Sequence, residues 1–262
     1  MNKYVQIVII CLIIYVAVCT ILYFFQEKLL FFPTKLSRDH IFPFEAFEEI
    51  NHKVDNDVHI NSVLFTSKER KGVLFFLHGN GGAIDGWGQG ASLYVDSGYD
   101  VLYLDYRGYG KSSGNIESEK ELVNDAQIVY DYLKKRYTED KIILSGTSVG
   151  TGIAAKIATL NNPRRLILNS PYYSLKSLIK EKFPIVPAFI IKYSLETHKH
   201  LAKVKCPVTI FHGNKDDLIP LRHSTNLKKK HEKVDLNIIA GYGHNDLPNS
   251  EDYRTKMAAL LK

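Results

Sequence analysis

The decapeptide KIILSGTSVG at residues 141–150 contains the pattern from which the fold can be predicted. Its apolar run, residues 142–144, indicates a buried strand, and the small residues that follow Gly150 indicate a helix. Between them, the spacing G-x-S-x-G is typical of a sharp strand-to-helix turn that exposes the hydroxyl of its central serine. Side chains at Gly146 and Gly150 would collide with neighbouring backbone. We therefore expect Ser148 to lie at the apex of a strained turn.

Short apolar runs recur on both sides of this turn, separated by segments with helical periodicity. Such runs are typical of central parallel strands that are covered by helices on both faces. In one intervening segment, Ser118-x-x-Glu121 predicts a capping box, followed by an apolar stripe over residues 122–137. The alternation predicts a doubly wound, mostly parallel α/β sheet. The predicted strands are residues 73–77, 101–104, 142–144, 166–168, 208–211 and 236–239.

Two segments depart from this alternation. Before the first central strand, the spacing of Val58 and Ile60 predicts half-buried antiparallel strands within residues 54–65. Between the fourth and fifth strands, residues 171–205 form a longer insertion with three prolines and an apolar stretch. We expect this insertion to form a small helical cap over the carboxyl end of the sheet, or to pack against the body.

Polar residues follow the predicted strands where each strand would end. The carboxyl ends of parallel strands meet at one edge of an open α/β sheet, which is where active sites of such sheets lie. A serine hydroxyl is a weak nucleophile and needs a base, which in turn needs a carboxylate to fix its tautomer. In this arrangement the acid and then the base follow the serine along the chain. The acid candidates at a strand end are Asp216 and Asp217.

Three histidines follow these acids. His223 and His231 lie in a polar helical stretch and are expected to be solvated surface residues. His244 lies in a glycine-flanked loop directly after the last strand, where a mobile imidazole can reach Ser148. His244 is therefore the predicted base.

An acyl-transfer site also needs two backbone N–H donors for the oxyanion. One is expected from Val149, the residue after the serine, and one from the loop HGNGG at residues 78–82, where we select Asn80. This loop is also compatible with a generic glycine-rich turn or a phosphate cradle. It lacks the Walker lysine and the G-x-G-x-x-G spacing, so nucleotide binding is not favoured. The cysteines, residues 11, 19 and 206, have no metal-ligand spacing, and no cofactor or metal is predicted.

The first 28 residues have the composition of a membrane anchor. Residues 5–25 carry no charge, and a helix of that length spans about 30 Å, the thickness of a bilayer core. A cleaved signal peptide is the alternative, but the run is longer than its usual apolar region and lacks an A-x-A-like site. The charges that flank the run leave the sidedness open. Residues 29–262 suit one catalytic domain.

The net charge of +6 is modest, and the basic residues are scattered along the chain. No interleaving of basic and aromatic residues accompanies them, so a solvated basic surface is favoured over nucleic-acid binding. A basic face near an anionic membrane is a second interpretation. The sequence does not determine the oligomeric state.

Taken in order, the motifs EKLLFFPT, FLHGNGG, LDYRGYGKSSG, LSGTSVG, FHGNKDDLIP and GYGHNDL resemble the α/β-hydrolase superfamily. They look most like its single-pass, membrane-anchored serine hydrolases, which include depalmitoylase-like members. The resemblance covers residues 29–262 and implies Ser148 as nucleophile, Asp216 as acid and His244 as base. It implies Asn80 and Val149 as oxyanion donors.

These observations predict a membrane-anchored serine hydrolase that cleaves carboxylic esters or thioesters of a small-molecule or acylated substrate. A serine peptidase of the same fold, and a non-catalytic interaction module, remain alternatives. Asp105 and Arg107, at another strand end, are expected to form a structural ion pair beside Ser148 rather than to act in catalysis.

Overall fold

Eight strands form the central sheet in the computed structural model, which describes residues 1–262. In chain order the strands are β1 Phe47–Lys53, β2 His59–Phe65, β3 Gly72–Leu77, β4 Tyr99–Leu104, β5 Ile142–Thr147, β6 Arg165–Asn169, β7 Val208–Gly213 and β8 Asp235–Ile239. Their spatial order is β8-β7-β6-β5-β3-β4-β2-β1. The six strands from β3 to β8 are parallel, and β2 pairs antiparallel with β1 and β4. The predicted mostly parallel α/β sheet is confirmed.

The antiparallel edge differs from the prediction in two ways. Residues 54–58 form a turn rather than strand, closed by a hydrogen bond from Val54 N–H to Val58 O, and the strand β1 before them was not predicted. Strand β2 is buried on both faces from Ile60 to Phe65, not half-buried. It lies between two strands, and its polar residues Asn61 and Ser62 are fully buried, whereas His59 is exposed.

Nine helices accompany the sheet. They are α1 Lys3–Leu30, α2 Ile84–Trp87, α3 Ser92–Val95, α4 Glu119–Lys134, α5 Val149–Leu160, α6 Leu175–Lys182, α7 Thr197–Leu201, α8 Arg222–Lys230 and α9 Glu251–Leu260. One core cluster packs α4 and α5 on one face of the sheet, and another packs α2, α3 and α9 on the other face. Alternate residues of β3 illustrate this division, since Phe75 joins the first cluster and Phe76 the second.

Helix α4 begins as the sequence predicts, but with half of the expected capping box. The Ser118 hydroxyl accepts the Glu121 N–H at 3.2 Å. The Glu121 carboxylate accepts from Glu117 N–H and pairs with Arg107, so it does not return to Ser118. The predicted apolar stripe is buried from Leu122 to Leu133.

Helix α1 has 28 residues and projects almost all of its side chains into solvent. At 1.5 Å per residue it is about 42 Å long. Its mean hydropathy reaches 3.0 in an 18-residue window, none of which is buried. By length and composition the helix can cross a membrane, although a signal sequence passes the same test.

Candidate active site

Ser148 occupies a strained backbone conformation between β5 and α5. Its φ of 53° and ψ of −119° lie in a region that residues with a side chain rarely adopt. The turn is held on both sides, because Ser148 N–H donates to Asn169 O at 3.0 Å and Ser148 O accepts from the Thr151 N–H and hydroxyl at 3.0 and 2.6 Å. The serine is 8% exposed. The sharp turn expected from the G-x-S-x-G spacing is therefore present.

The two glycines of the pattern allow the backbone around this turn to approach closely. A Cβ atom at Gly146 would lie 2.6 Å from Gly150 O. A Cβ at Gly150 would collide with Leu77 O at the end of β3. Only glycine therefore lets α5 start directly against the two central strands.

The structure brings Asp216 and His244 together from two separate loops. Asp216 follows β7 and His244 lies beyond β8, and the His244 Nδ1 to Asp216 Oδ2 distance is 2.7 Å. Backbone N–H groups of Leu218 and Ile219 donate to Asp216 Oδ1 at 3.0 and 2.7 Å. Both carboxylate oxygens therefore have partners. Oδ1 is held by the backbone of its own loop, and Oδ2 orients the imidazole.

A second histidine, His212, lies on the other side of this carboxylate. Its Nε2 is 3.3 Å from Asp216 Oδ2, and its ring also contacts Ser224 Oγ and Ile219 O. Burial alone would raise the pKa of the Asp216 carboxyl, but hydrogen bonds from His212 and His244 hold that pKa well below its usual range. Asp216 is therefore ionised at neutral pH. His212 also follows a predicted strand, but the sequence pattern indicated no role for it.

The other predicted acid and base candidates lie elsewhere. Asp217 is exposed and its carboxylate makes no hydrogen bond. His223 and His231 are not solvated surface residues, contrary to the expectation. His223 is buried, accepts Tyr173 N–H at 3.1 Å and lies 3.3 Å from Glu181. His231 is half-buried and bonds to His198 O at 2.8 Å.

The loop with Asn80 lies directly beside Ser148. A Cβ built at Gly79 would be 3.5 Å from Ser148 Cβ. The loop is fixed by two bonds to Asn80, since Phe32 N–H donates to its Oδ1 at 3.1 Å and the Tyr109 hydroxyl to its O at 2.7 Å. The backbone N–H of Asn80 takes part in no hydrogen bond, and Val149 N–H, at the start of α5, has none either. Both N–H groups are therefore free to donate to an anionic oxygen.

The expected ion pair between Asp105 and Arg107 does not form. Asp105 lies 3.4 Å from His78 Nε2, with both side chains fully buried, and accepts Ile84 N–H at 3.0 Å. Burial raises the pKa of the Asp105 carboxyl, although His78 opposes this. Arg107 instead forms a bidentate pair with Asp125, at 2.6 and 3.0 Å. Each side chain fixes the loop after β4 to a different element.

A cavity of about 970 Å³ opens at the carboxyl end of the sheet, beside His244. Thr147 and His244 line it, whereas no residue of the predicted cap, 171–205, does so. Ser148 itself does not line the cavity, and no hydrogen bond joins Ser148 to His244. No group of three or more His, Cys, Asp or Glu side chains is arranged to hold a metal ion. The apolar part of the lining comes from Phe76, Ala83, Trp87, Leu93, Tyr94, Tyr103, Leu247 and Tyr253.

The sheet order, the strained serine turn and the acid and histidine paired at the strand ends match the α/β-hydrolase fold, and the family, sequence and structure matches support an α/β-hydrolase. Residues 68–196 match the family described as serine aminopeptidase, S33. An esterase of Pyrococcus furiosus is structurally similar with a TM-score of 0.70, at 18% identity over 88% of this chain and 97% of that one. An esterase of Butyrivibrio proteoclasticus, solved with ferulic acid, has a TM-score of 0.63, at 20% identity over 81% and 96%.

Relatives are also similar in sequence, and two of them illustrate the match. The α/β-hydrolase domain-containing protein 17C of Xenopus laevis is 32% identical over 195 residues, which cover 72% of this chain and 60% of that protein. The α/β-hydrolase domain-containing protein aho-3 of Caenorhabditis elegans is 30% identical over 195 residues, which cover 72% and 57%. The chain thus spans about three fifths of the length of these relatives. Together the matches support a hydrolase.

Proposed function

We propose that the chain is a serine hydrolase that cleaves carboxylic esters or thioesters through an acyl-enzyme intermediate. Ser148 is the nucleophile, His244 the general base and Asp216 the residue that orients His244. The observation that carries the proposal is the 2.7 Å hydrogen bond between Asp216 and His244, located at the strand ends beside the strained Ser148 turn.

In the first half-reaction, His244 Nε2 takes the Ser148 proton while the serine oxygen bonds to the acyl carbon. The bond to the alcohol or thiol then breaks, and His244 returns the proton to that leaving group. In the second half-reaction, water loses a proton to His244 and attacks the acyl carbon. The bond from that carbon to the Ser148 oxygen then breaks, His244 returns the proton to the serine oxygen, and the carboxylic acid leaves. Asp216 remains ionised throughout and stabilises the imidazolium, in keeping with its depressed pKa.

The oxyanion of each tetrahedral intermediate is assigned to the N–H groups of Asn80 and Val149. Their lack of other partners supports this role, because donors that are already oriented need no reorganisation when negative charge develops. The bonds from Phe32 and Tyr109 to Asn80 fix its position. Closure of His244 onto Ser148 accompanies substrate binding, since catalytic hydrogen bonds are often long before the substrate is bound.

The 970 Å³ cavity beside His244 is assigned to the acyl chain or the leaving group. Its aromatic and aliphatic lining favours apolar substrate groups. Each methylene buried there contributes about 0.8 kcal/mol, which is roughly fourfold in kcat/KM. Hydrolysis of p-nitrophenyl esters should therefore rise from acetate to at least hexanoate, and long-chain thioesters should be substrates. A sharp maximum at acetate would contradict this assignment.

The second candidate is a peptidase, which the description of the matching family favours. A panel of aminoacyl amides and peptides beside the esters separates the two. Efficient cleavage of the amides, with ester hydrolysis slower, would replace the esterase proposal. If the protein hydrolysed neither the esters nor the amides, a non-catalytic interaction module would be favoured.

Covalent labelling tests the nucleophile directly. A fluorophosphonate probe should label the wild type, and Ser148→Ala should not be labelled. Ser145→Ala is the matched control, because Ser145 lies on the same strand, is fully buried and has no hydrogen-bond partner. It should be labelled like the wild type. Persistent labelling of Ser148→Ala would refute the assignment.

We further propose that α1 is a membrane anchor, with the catalytic domain at the bilayer surface. Its exposed apolar side chains and its length of about 42 Å support this assignment. The full-length protein should stay in the membrane fraction after washes with high salt and carbonate, and dissolve only in detergent. Release by salt alone would contradict a spanning helix.

A further inference from the structure

Residues 183–189, which follow α6, form an apolar loop with three large side chains directed outward. Phe183, Ile185 and Phe189 are 62, 76 and 85% exposed. Single exposed apolar side chains are common on protein surfaces, whereas three in one short loop indicate an interaction surface. The loop lines no part of the cavity beside His244, so a role in that cavity does not explain these side chains.

The carbonyls of residues 183–187 in this loop all have donors in the protein, whereas the N–H groups of Ile185, Ala188 and Phe189 have no acceptor. Pro184 and Pro187 have no N–H to satisfy. Five consecutive carbonyls, residues 183–187, each accept a hydrogen bond from the protein: the donors are Val186 N–H to Phe183 O, Lys180 Nζ to Pro184 O and Val186 O, the Tyr15 hydroxyl to Ile185 O, and Ile190 N–H to Pro187 O. An exposed loop in water does not need such donors, because water supplies them. In a hydrocarbon environment each carbonyl requires one.

Contacts with α1 show where the loop lies. Gln26, which is buried, donates to Ile190 O at 3.0 Å and accepts Lys192 N–H at 2.9 Å, and Lys192 Nζ pairs with Glu27 at 2.9 Å. The Tyr15 hydroxyl donates to Ile185 O at 3.0 Å. Tyr15 and Gln26 are separated by eleven residues, which is about 16 Å along the helix axis. From residue 190 back to 185, the loop therefore runs beside α1 and into its apolar half.

We propose that residues 183–189 form a second membrane contact, inserted into the same leaflet that α1 enters, with lipid acyl chains covering Phe183, Ile185 and Phe189. The inference rests on the proposed anchorage by α1. Its separate support is the combination of outward apolar side chains with internally satisfied carbonyls. Together with the contacts of Gln26 and Glu27, this second contact fixes the catalytic domain against the bilayer at a defined depth.

Tryptophan quenching by lipid tests this placement in the full-length protein. Phe189→Trp, Leu12→Trp and Leu160→Trp are reconstituted separately in phosphatidylcholine vesicles whose acyl chains are brominated, and the signal of the wild type, which has a single tryptophan, is subtracted. Leu12 lies within the apolar run of α1 and reports on anchorage. Leu160 is 54% exposed at the far end of α5, about 18 Å from Ser148, and is the control for a residue away from the membrane.

A loop that runs beside α1 from Gln26 to Tyr15 extends about 16 Å along the helix, within reach of the brominated chains. We expect fluorescence losses of similar size for Phe189→Trp and Leu12→Trp, and none for Leu160→Trp. Quenching of Leu12→Trp without quenching of Phe189→Trp would overturn the loop contact and leave the anchor intact; solvent or a second copy of the chain would then cover the loop. Absence of quenching in both would overturn the anchor, and the inference with it.

A second variant tests the role of the carbonyl donors. Lys180→Met removes the ammonium group from Pro184 O and Val186 O without adding polarity. In the Phe189→Trp background it should leave the circular dichroism unchanged but reduce quenching by lipid, since two uncapped carbonyls oppose insertion. Lys176→Met, on the same helix and without a hydrogen bond to the loop, is the control and should not reduce quenching. Equal quenching in all three proteins would contradict the proposed function of Lys180.

Discussion

Asp216→Asn is the substitution whose effect follows most directly from the site geometry. It preserves the size of the side chain but replaces one acceptor oxygen by an N–H donor. Asp216 Oδ1 accepts Leu218 and Ile219 N–H, and Oδ2 accepts His244 Nδ1. In either amide orientation the new NH₂ group faces a donor, so His244 loses its acceptor or the loop loses two bonds.

The expected loss is large because the orientation of the imidazole then becomes wrong for proton transfer. In a serine protease with the same three groups, this change costs about 10⁴ in kcat, or about 5.4 kcal/mol at 1.36 kcal/mol per decade. We expect a decrease of similar order in kcat for p-nitrophenyl ester hydrolysis, and a parallel decrease in the rate of fluorophosphonate labelling. Asp217→Asn should stay within about twofold, since that side chain is exposed and makes no hydrogen bond.

Thermal unfolding of both variants separates lost chemistry from lost stability. If Asp216→Asn retained more than about a tenth of the wild-type kcat, His244 would not depend on this carboxylate and the assignment of the acid would be wrong. If Asp217→Asn were the more damaged variant, the acid would move by one position. If both variants lost similar fractions of kcat and were destabilised to the same extent, a specific orienting role for Asp216 would be refuted.

Three further predictions concern the fold. Gly150→Ala should destabilise the protein by about 3 kcal/mol or abolish soluble expression, because its Cβ would collide with Leu77 O; a stable Gly150→Ala protein in urea unfolding would contradict this close approach. Burial lowers the pKa of His52 from 6.5 to about 4, so the unfolding free energy should fall by about 3 kcal/mol as the pH drops through this interval and the unfolded chain binds the extra proton; His52→Gln should flatten that slope, and an unchanged slope would assign it to other groups. Arg107→Lys should cost about 1–2 kcal/mol in urea unfolding, because one of the two bonds to Asp125 is lost, and no loss would mean that the bidentate geometry is unimportant.

The parts of the fold that the sequence predicted are those encoded by local patterns. The central strands are continuous apolar runs, and the serine turn has a fixed glycine spacing, so each is visible within ten residues. His244 and Asp216 could be paired from the sequence because both follow predicted strands, and parallel strands end at one edge of the sheet. Their catalytic roles stay predictions.

The missed features depend on contacts between distant segments. Strand β1, with the sequence FEEINHK, is a charged edge strand with little alternation, and only its pairing with β2 makes it a strand. His223 is buried because α6 brings Glu181 against it, which its polar neighbours in sequence do not indicate. The cavity beside His244 lies between residues 82–96 and 244–254 rather than under residues 171–205, because the packing of short helices determines it.

The conformation of Ser148 lowers the stability of the fold at the position where we propose the nucleophile. A φ of 53° costs a residue with a side chain about 1–3 kcal/mol, whereas glycine adopts it freely and loses only about 0.5–1 kcal/mol of chain entropy. The Ser148→Gly protein, which lacks the proposed nucleophile, should therefore match or exceed the wild type in melting temperature. A laboratory selection for thermal tolerance alone would tend to discard the serine, and only a screen that also requires turnover would retain it.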